Sequence, residues 1–277
     1  MKTIPMLKQA RQIVGAVAVA FLALGGIQAH ASSTTLTGPV GTGLYKPETL
    51  QFGTKSSTTV ETGAYQVKDS TGDQFWVYCL DPLTYLTSGA SYTTTSLSNF
   101  VTTGYVNLFA TSNYQQNGIA GKYDDSNTTP TVVLNKLTEL YSHAYTDSMV
   151  STTKSAAFQY AIWEIEGDTS GSYSAATGGL KYAGTDSTFL TQVNLYLNAL
   201  NTGSWAAVGL GAISNFVYTV YQSSPLAGSQ TVMRVALASS NVPEPSSLLL
   251  LGIGVLALGA SRRAAKRANL PIVTMAG

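Results

Sequence analysis

Three features of this sequence predict an α+β body. A Thr-, Val- and Tyr-rich first part shows partial two-residue alternation, a middle part repeats apolar residues at three- and four-residue steps, and the last part returns to β-type residues. In the first part, Ala64-Tyr65-Gln66-Val67 and Gln74-Phe75-Trp76-Val77-Tyr78 read as strands within Thr34 to Leu80, with Ser70-Thr71-Gly72-Asp73 as a turn. Residues Ser88 to Asn127 carry scattered aromatics without a period and predict irregular chain with short helical or strand pieces.

The period then changes. Val133, Leu134, Leu137, Leu140, Tyr141, Ala144 and Tyr145 place an amphipathic helix over about Thr131 to Tyr145, with Pro130 at its entry. A second helix is predicted from about Thr153 to Glu166, with Phe158, Ile162 and Ile165 on one face, Thr152 or Thr153 as cap and Gly167 as stop. A third runs over about Ser187 to Asn201, with Asp186 as cap, Phe189, Val193, Leu197 and Leu200 as stripe, and Gly203 as stop. Strands from Ile213 to Gln222 and from Gln230 to Leu237 close the body. The expected architecture is a single ectodomain, residues 32–241, in which strands flank a central group of about three helices.

Charge narrows the partners. Only 10% of residues are charged, against roughly 25% in ordinary soluble proteins, so the surface must be built from Ser, Thr, Asn and Gly. Seven of the fifteen basic residues lie in the terminal segments; the body carries eight basic and thirteen acidic residues, a net charge of −5. Without clustered positive charge to displace counterions, a nucleic acid is a poor partner.

The two ends read as addresses. Lys2, Lys8 and Arg11 precede an apolar run from Ile13 to Leu24, and Ala29-His30-Ala31 supplies a small-x-small site. This predicts a signal peptide over residues 1–31, cut by signal peptidase before Ser32. At the other end, Pro243-Glu244-Pro245 precedes an apolar segment, Ser246 to Ala260, followed by Arg262, Arg263, Lys266 and Arg267. As a helix that segment reaches about 22 Å, short of a hydrocarbon core of about 30 Å, which suits a transient inner-membrane anchor better than a permanent one. The basic cluster would stay cytoplasmic, as would the tail, residues 268–277, leaving the body outside. Tripeptide, short transmembrane helix and basic stop together, residues 242–267, resemble the PEP-CTERM sorting signal. The resemblance implies recognition by exosortase and passage to the cell surface or the extracellular exopolysaccharide matrix.

Cys79 is the single cysteine of an exported chain, so it has no internal disulfide partner. An inert buried thiol, a bond to another chain, a nucleophile working with His143 and a covalent bond to another side chain all fit that fact. The last gains from local sequence. Tyr78-Cys79-Leu80-Asp81 ends a predicted strand, and Phe158-Gln159-Tyr160-Ala161-Ile162-Trp163 lies on a predicted helix. The pair resembles the thioester domains of bacterial surface adhesins, in which a cysteine after an aromatic residue is joined to the glutamine of a Thr-Gln-x-Ala motif followed by Ile-Trp. Phe158 stands where that motif has Thr. The resemblance implies a thioester between Cys79 and Gln159, with Tyr78, Asp81, Ala161 and Trp163 around it. Trp163, Tyr160, Trp76 and Tyr78 are the aromatics available to exclude water.

Other signals are weak. His143 with Cys79 would make a hydrolase or transpeptidase, but nothing local marks either as catalytic, and a helix-surface histidine is commoner. One His and one Cys cannot fill a zinc site, and Lys122-Tyr123-Asp124-Asp125-Ser126-Asn127 lacks the alternation of a calcium loop, so it reads as a turn. Glu164, Glu166 and Asp168 could suggest glycoside chemistry, yet acidic residues at a helix end usually only solvate it. Gly252, Gly254 and Gly259 lie in the apolar segment and form no phosphate loop. The sequence therefore predicts no metal, no cofactor and no enzyme, but an exported surface or matrix protein that binds an exopolysaccharide or surface ligand, or bonds to its target through Cys79 and Gln159. Replacing Pro243, Glu244 and Pro245 by Ala is expected to hold the protein in the inner membrane; fractionation showing normal release would contradict the exosortase reading.

Overall fold

The computed structural model describes residues 33–104, 118, 129–167, 171–213, 215–225 and 228–238. The signal peptide, the sorting segment and its transmembrane helix, the tail, Lys122 to Asn127 and Asp168 lie outside the described residues.

Among the described residues, eight strands form the sheet: β1 (Ser33–Thr37), β2 (Leu44–Phe52), β3 (Thr58–Asp69), β4 (Gln74–Cys79), β5 (Ala90–Ser96), β6 (Leu180–Tyr182), β7 (Phe216–Ser223) and β8 (Val232–Leu237). Their order is β1-β5-β7-β8-β4-β3-β2-β6, and β1 also pairs with β3. That extra pairing closes six strands into a barrel and leaves β2 and β6 as a flap beside it. The Ser70 to Asp73 turn stands where predicted, with the Asp69 carboxylate accepting from the Thr71 and Asp73 amides.

Three helices follow the sequence pattern: α1 (Pro130–Ser148), α2 (Thr152–Gly167) and α3 (Ser187–Thr202). Thr129 caps α1 and Asp186 caps α3, and Gly203 ends α3 in the left-handed region at φ 68°. The cap of α2 differs from expectation: the Ser151 hydroxyl, not Thr152 or Thr153, accepts from the Lys154 amide, because the chain leaves α1 only three residues earlier. More importantly, α2 is buried on every side from Ser155 to Gly167 rather than along one stripe. It packs on β2 and β3 and between α1 and α3, so it has no solvent face to mark with polar residues.

The stretch expected to be irregular with short helical or strand pieces carries both: β5, held by β1 and β7, and a short helical segment, Leu97 to Gly104. A three-residue strand, β6, interrupts the helices because it pairs with Leu50 to Phe52 of β2. The part of β7 before Tyr218 and the part of β8 after Val235 belong to a second compact unit, where the Ala238 amide donates to the Asn215 carbonyl.

The bend that organises the first unit lies at Gly63. The first half of β3 pairs with β2, from Leu50↔Thr58 to Leu44↔Ala64, and its second half pairs with β4, from Lys68↔Gln74 to Tyr65↔Val77. At the crossover Gly63 takes φ 134°, and a Cβ there would come within 2.2 Å of the Leu44 carbonyl oxygen. Gly63→Ala is therefore expected to destabilise the fold by about 2 kcal/mol or more, read as a lower denaturation midpoint; an unchanged midpoint would contradict this account of the bend.

Candidate functional site

Cys79 is the last residue of β4, and its far neighbour across the sheet is Val232 of β8. On the near side the ladder to β3 stops at Val77, because β3 has turned away at Gly63. A buried backbone N–H and C=O left without partners would each be costly, by roughly 1–3 kcal/mol. Two side chains of α2, one turn apart, fill the gap. Ser155 Oγ accepts from the Ala64 amide at 3.0 Å. Gln159 Oε1 accepts from the Cys79 amide at 2.7 Å, and Gln159 Nε2 donates to the Cys79 carbonyl at 2.8 Å. The Gln159 carboxamide thus takes the place of a strand neighbour, held at both ends by the backbone of the cysteine.

The sulfur points elsewhere. Cys79 Sγ donates to Gln230 Oε1 at 2.7 Å, and Gln230 Nε2 donates to the Asp81 carbonyl at 2.8 Å. Cys79 is 1% exposed and Gln159 is fully buried. Burial pushes the thiol well above its ordinary value, and the Asp81 and Glu166 carboxyls add to the shift. Asp81 is pushed up to about 6, also by burial, and Glu166 is raised well above the carboxylate range by burial and then by Asp81. Glu166 has no hydrogen-bond partner for either carboxyl oxygen among the described residues. The expectation that Glu164 and Glu166 merely solvate a helix end is therefore wrong: both are buried, and Glu164 Oε1 accepts from the Ser174 amide at 2.9 Å.

The aromatics divide by the side of the backbone they occupy. Trp163, one turn after Gln159, lines a cavity of about 500 Å³ together with Tyr65, Tyr85 and Gln230. Tyr78 points away from the sulfur, as neighbours on a strand must; its hydroxyl reaches Ser148 and Ser155, and its ring lies 4.8 Å from Phe158. Phe158, in the position where the adhesin motif has Thr, sits in this aromatic core with Tyr141 at 4.8 Å and Tyr196 at 6.3 Å. Tyr160 faces α3, packing on Phe189 and donating to the Leu180 carbonyl, while Trp76 is half-buried opposite Gln66. Neither Tyr78 nor Tyr160 covers the sulfur. Ala161 is fully buried and lets α2 sit close to its neighbours.

His143 is half-buried on α1, stacked on Trp205 at 4.9 Å with Nδ1 at 3.1 Å from the Leu210 carbonyl, whereas the Cys79 side chain is engaged by Gln230. No group of three His, Cys, Asp or Glu side chains among the described residues is placed to hold a metal ion. Nor is any described helix long and apolar enough to cross a membrane. Gln230 carried no signal in the sequence: it is a polar residue just before a strand, and its partner lies 151 residues away.

Comparison with known proteins adds the C-terminal address. Residues 241–263 match the PEP-CTERM protein-sorting motif. The PEP-CTERM motif implies exosortase processing, export and a membrane-anchored C-terminus before that processing. No curated protein matches the chain. Among solved structures, the N-terminal domain of the Streptococcus pyogenes pilus tip adhesin Cpa is similar at TM-score 0.40 and 14% identity, covering 73% of this chain and 97% of that one. The N-terminal thioester domain of fibronectin-binding protein SfbI from Streptococcus pyogenes is similar at TM-score 0.38 and 12% identity, covering 72% and 96%.

The buried carboxyl beside the cysteine has a pH signature. Asp81 titrates at about 6 in the folded chain against 3.8 ordinarily, so the folded state binds the extra proton between those values. Stability from this group is fully present below about pH 4, falls as pH rises through about 6, and is lost above it, by up to about 3 kcal/mol. Asp81→Asn, which keeps an oxygen for the Leu83 amide, is expected to flatten that decline and to be more stable than wild type at pH 7. Parallel wild-type and variant denaturation curves across pH 4 to 7 would contradict the assignment.

Proposed function

We propose that the chain is an exported surface protein, sorted through its PEP-CTERM motif, whose body attaches covalently to a target through a thioester between Cys79 and Gln159. The observation that carries this reading is the grip of the Cys79 backbone on the Gln159 carboxamide. The Cys79 N–H already points at the oxygen that becomes negative when sulfur attacks the carboxamide carbon, as an oxyanion donor must. In that step the S–C bond forms, the C–N bond breaks, and the thiol proton leaves with the nitrogen as ammonia. The dry surroundings then protect the acyl sulfur from water until an amine or hydroxyl of the target takes the acyl group and returns a proton to sulfur. Each molecule does this once, so the protein is spent rather than turned over and is not an enzyme. Matrix or surface binding without a bond is the reading that remains if the carboxamide serves only as a structural partner for the strand edge.

Intact mass of the mature exported protein separates the two. Wild type is expected to be lighter than its sequence requires by one ammonia, and methylamine is expected to add to residue 159. Cys79→Ala and Gln159→Ala should each lose both effects. A full mass, unchanged by methylamine, would reject the thioester and leave non-covalent binding of an exopolysaccharide or surface ligand.

A further inference from the structure

The Cys79 sulfur does not open on solvent, yet a cavity of about 500 Å³ lies next to the group that holds it. Gln230 belongs to both. Its Oε1 receives the thiol, and it lines the cavity with Glu61, Tyr65, Leu83, Tyr85 and Trp163, whereas Cys79 does not. The Gln230 side chain is therefore the partition between the two. It is clamped there by three further hydrogen bonds: Nε2 to the Asp81 carbonyl at 2.8 Å, its amide to the Tyr85 carbonyl at 3.0 Å, and its carbonyl from the Tyr92 hydroxyl at 3.2 Å. The thiol bond exists only while sulfur carries its proton; once sulfur is acylated, the Nε2 bond to the Asp81 carbonyl alone need break for the carboxamide to swing aside, while the backbone bonds keep the residue in place.

Trp163 lines the cavity beside Gln230 and is 3% exposed, an apolar wall whose Nε1–H is turned into the protein. Tyr85, 87% exposed on the same lining, offers an apolar ring to an arriving molecule. The Glu61 carboxylate and the Tyr65 ring favour the approach of a basic amine, which gives its extra proton to water and attacks as the neutral amine.

We propose that Gln230 is the gate of this site: the target nucleophile enters through the cavity and reaches the acyl group at Cys79 only when the Gln230 carboxamide moves off the sulfur. The inference rests on the thioester reading for its chemistry, in which the incoming N–H or O–H proton ends on the Cys79 sulfur as the acyl group passes to the nucleophile. It rests on geometry alone for access.

The test uses the mature exported protein as wild type, Gln230→Ala, Gln230→Asn, which draws the amide back by one methylene, and Thr58→Trp, which fills the cavity mouth away from the sulfur. Methylamine incorporation and spontaneous hydrolysis are followed by mass, alongside the thermal midpoint. Both Gln230 variants are expected to form the thioester and to react with methylamine and water at least tenfold faster, with Thr58→Trp slower than wild type. A merely structural role would lower the midpoint without that acceleration. Wild-type rates in both Gln230 variants, or an unaffected Thr58→Trp, would overturn the gate. If wild type contains no thioester, the function reading fails separately, and iodoacetamide labelling of the free Cys79 thiol decides the gate: at least tenfold faster in Gln230→Asn supports it, equal rates overturn it.

Discussion

The structure turns on an unpaired strand edge. Where β3 leaves β4 at Gly63, the buried N–H and C=O of Cys79 lose their strand neighbour, and burial does not permit them to go unmet. A glutamine on α2 meets both at once, which fixes the height and rotation of that helix against the barrel. Ser155, one turn earlier, takes the Ala64 amide on the other side of the bend and joins a buried hydroxyl network with Tyr78 and Ser148. The same bend that disrupts the sheet therefore seats the helix and brings a carboxamide to a cysteine.

This arrangement has opposite consequences for the resting thiol and for the bonded state. Burial raises the thiol, so little thiolate exists at neutral pH, and the neighbouring carboxyls Asp81 and Glu166 raise it further. A thiol here reacts slowly with reagents from solvent. Once acylated, however, sulfur carries no proton, and the same exclusion of water that made it a poor nucleophile preserves the ester. On the thioester proposal, the site keeps one reactive bond rather than making many.

Much of the fold was legible in the sequence. Apolar spacing marked all three helices, and Asp186 and Gly203 marked the ends of α3, because caps depend on one or two local residues. The all-round burial of α2 was not legible, since a helix enclosed by barrel and helices needs only small or apolar residues, and Gln159 and Glu166 look like a polar face until their surroundings are known. Strand β6 is set by its pairing with β2 and has no pattern of its own. At the site, Cys79 and Gln159 were named through a resemblance, and the geometry brings them together. Tyr78 and Tyr160, named as available to exclude water, pack in the aromatic core and against α3, because adjacency in sequence puts side chains on opposite faces of a strand and about 100° apart on a helix. Gln230 was invisible, being joined to Cys79 only by the closure of the barrel through β8.

Peptide mapping of the mature protein, digested under acidic conditions without reductant or amine, tests the central claim most directly. The account predicts one cross-linked species, joining the peptide that contains Cys79 to the peptide that contains Gln159 with loss of one ammonia, and its disappearance after methylamine. Separate peptides, with a free thiol at Cys79 and an intact carboxamide at Gln159, would contradict it.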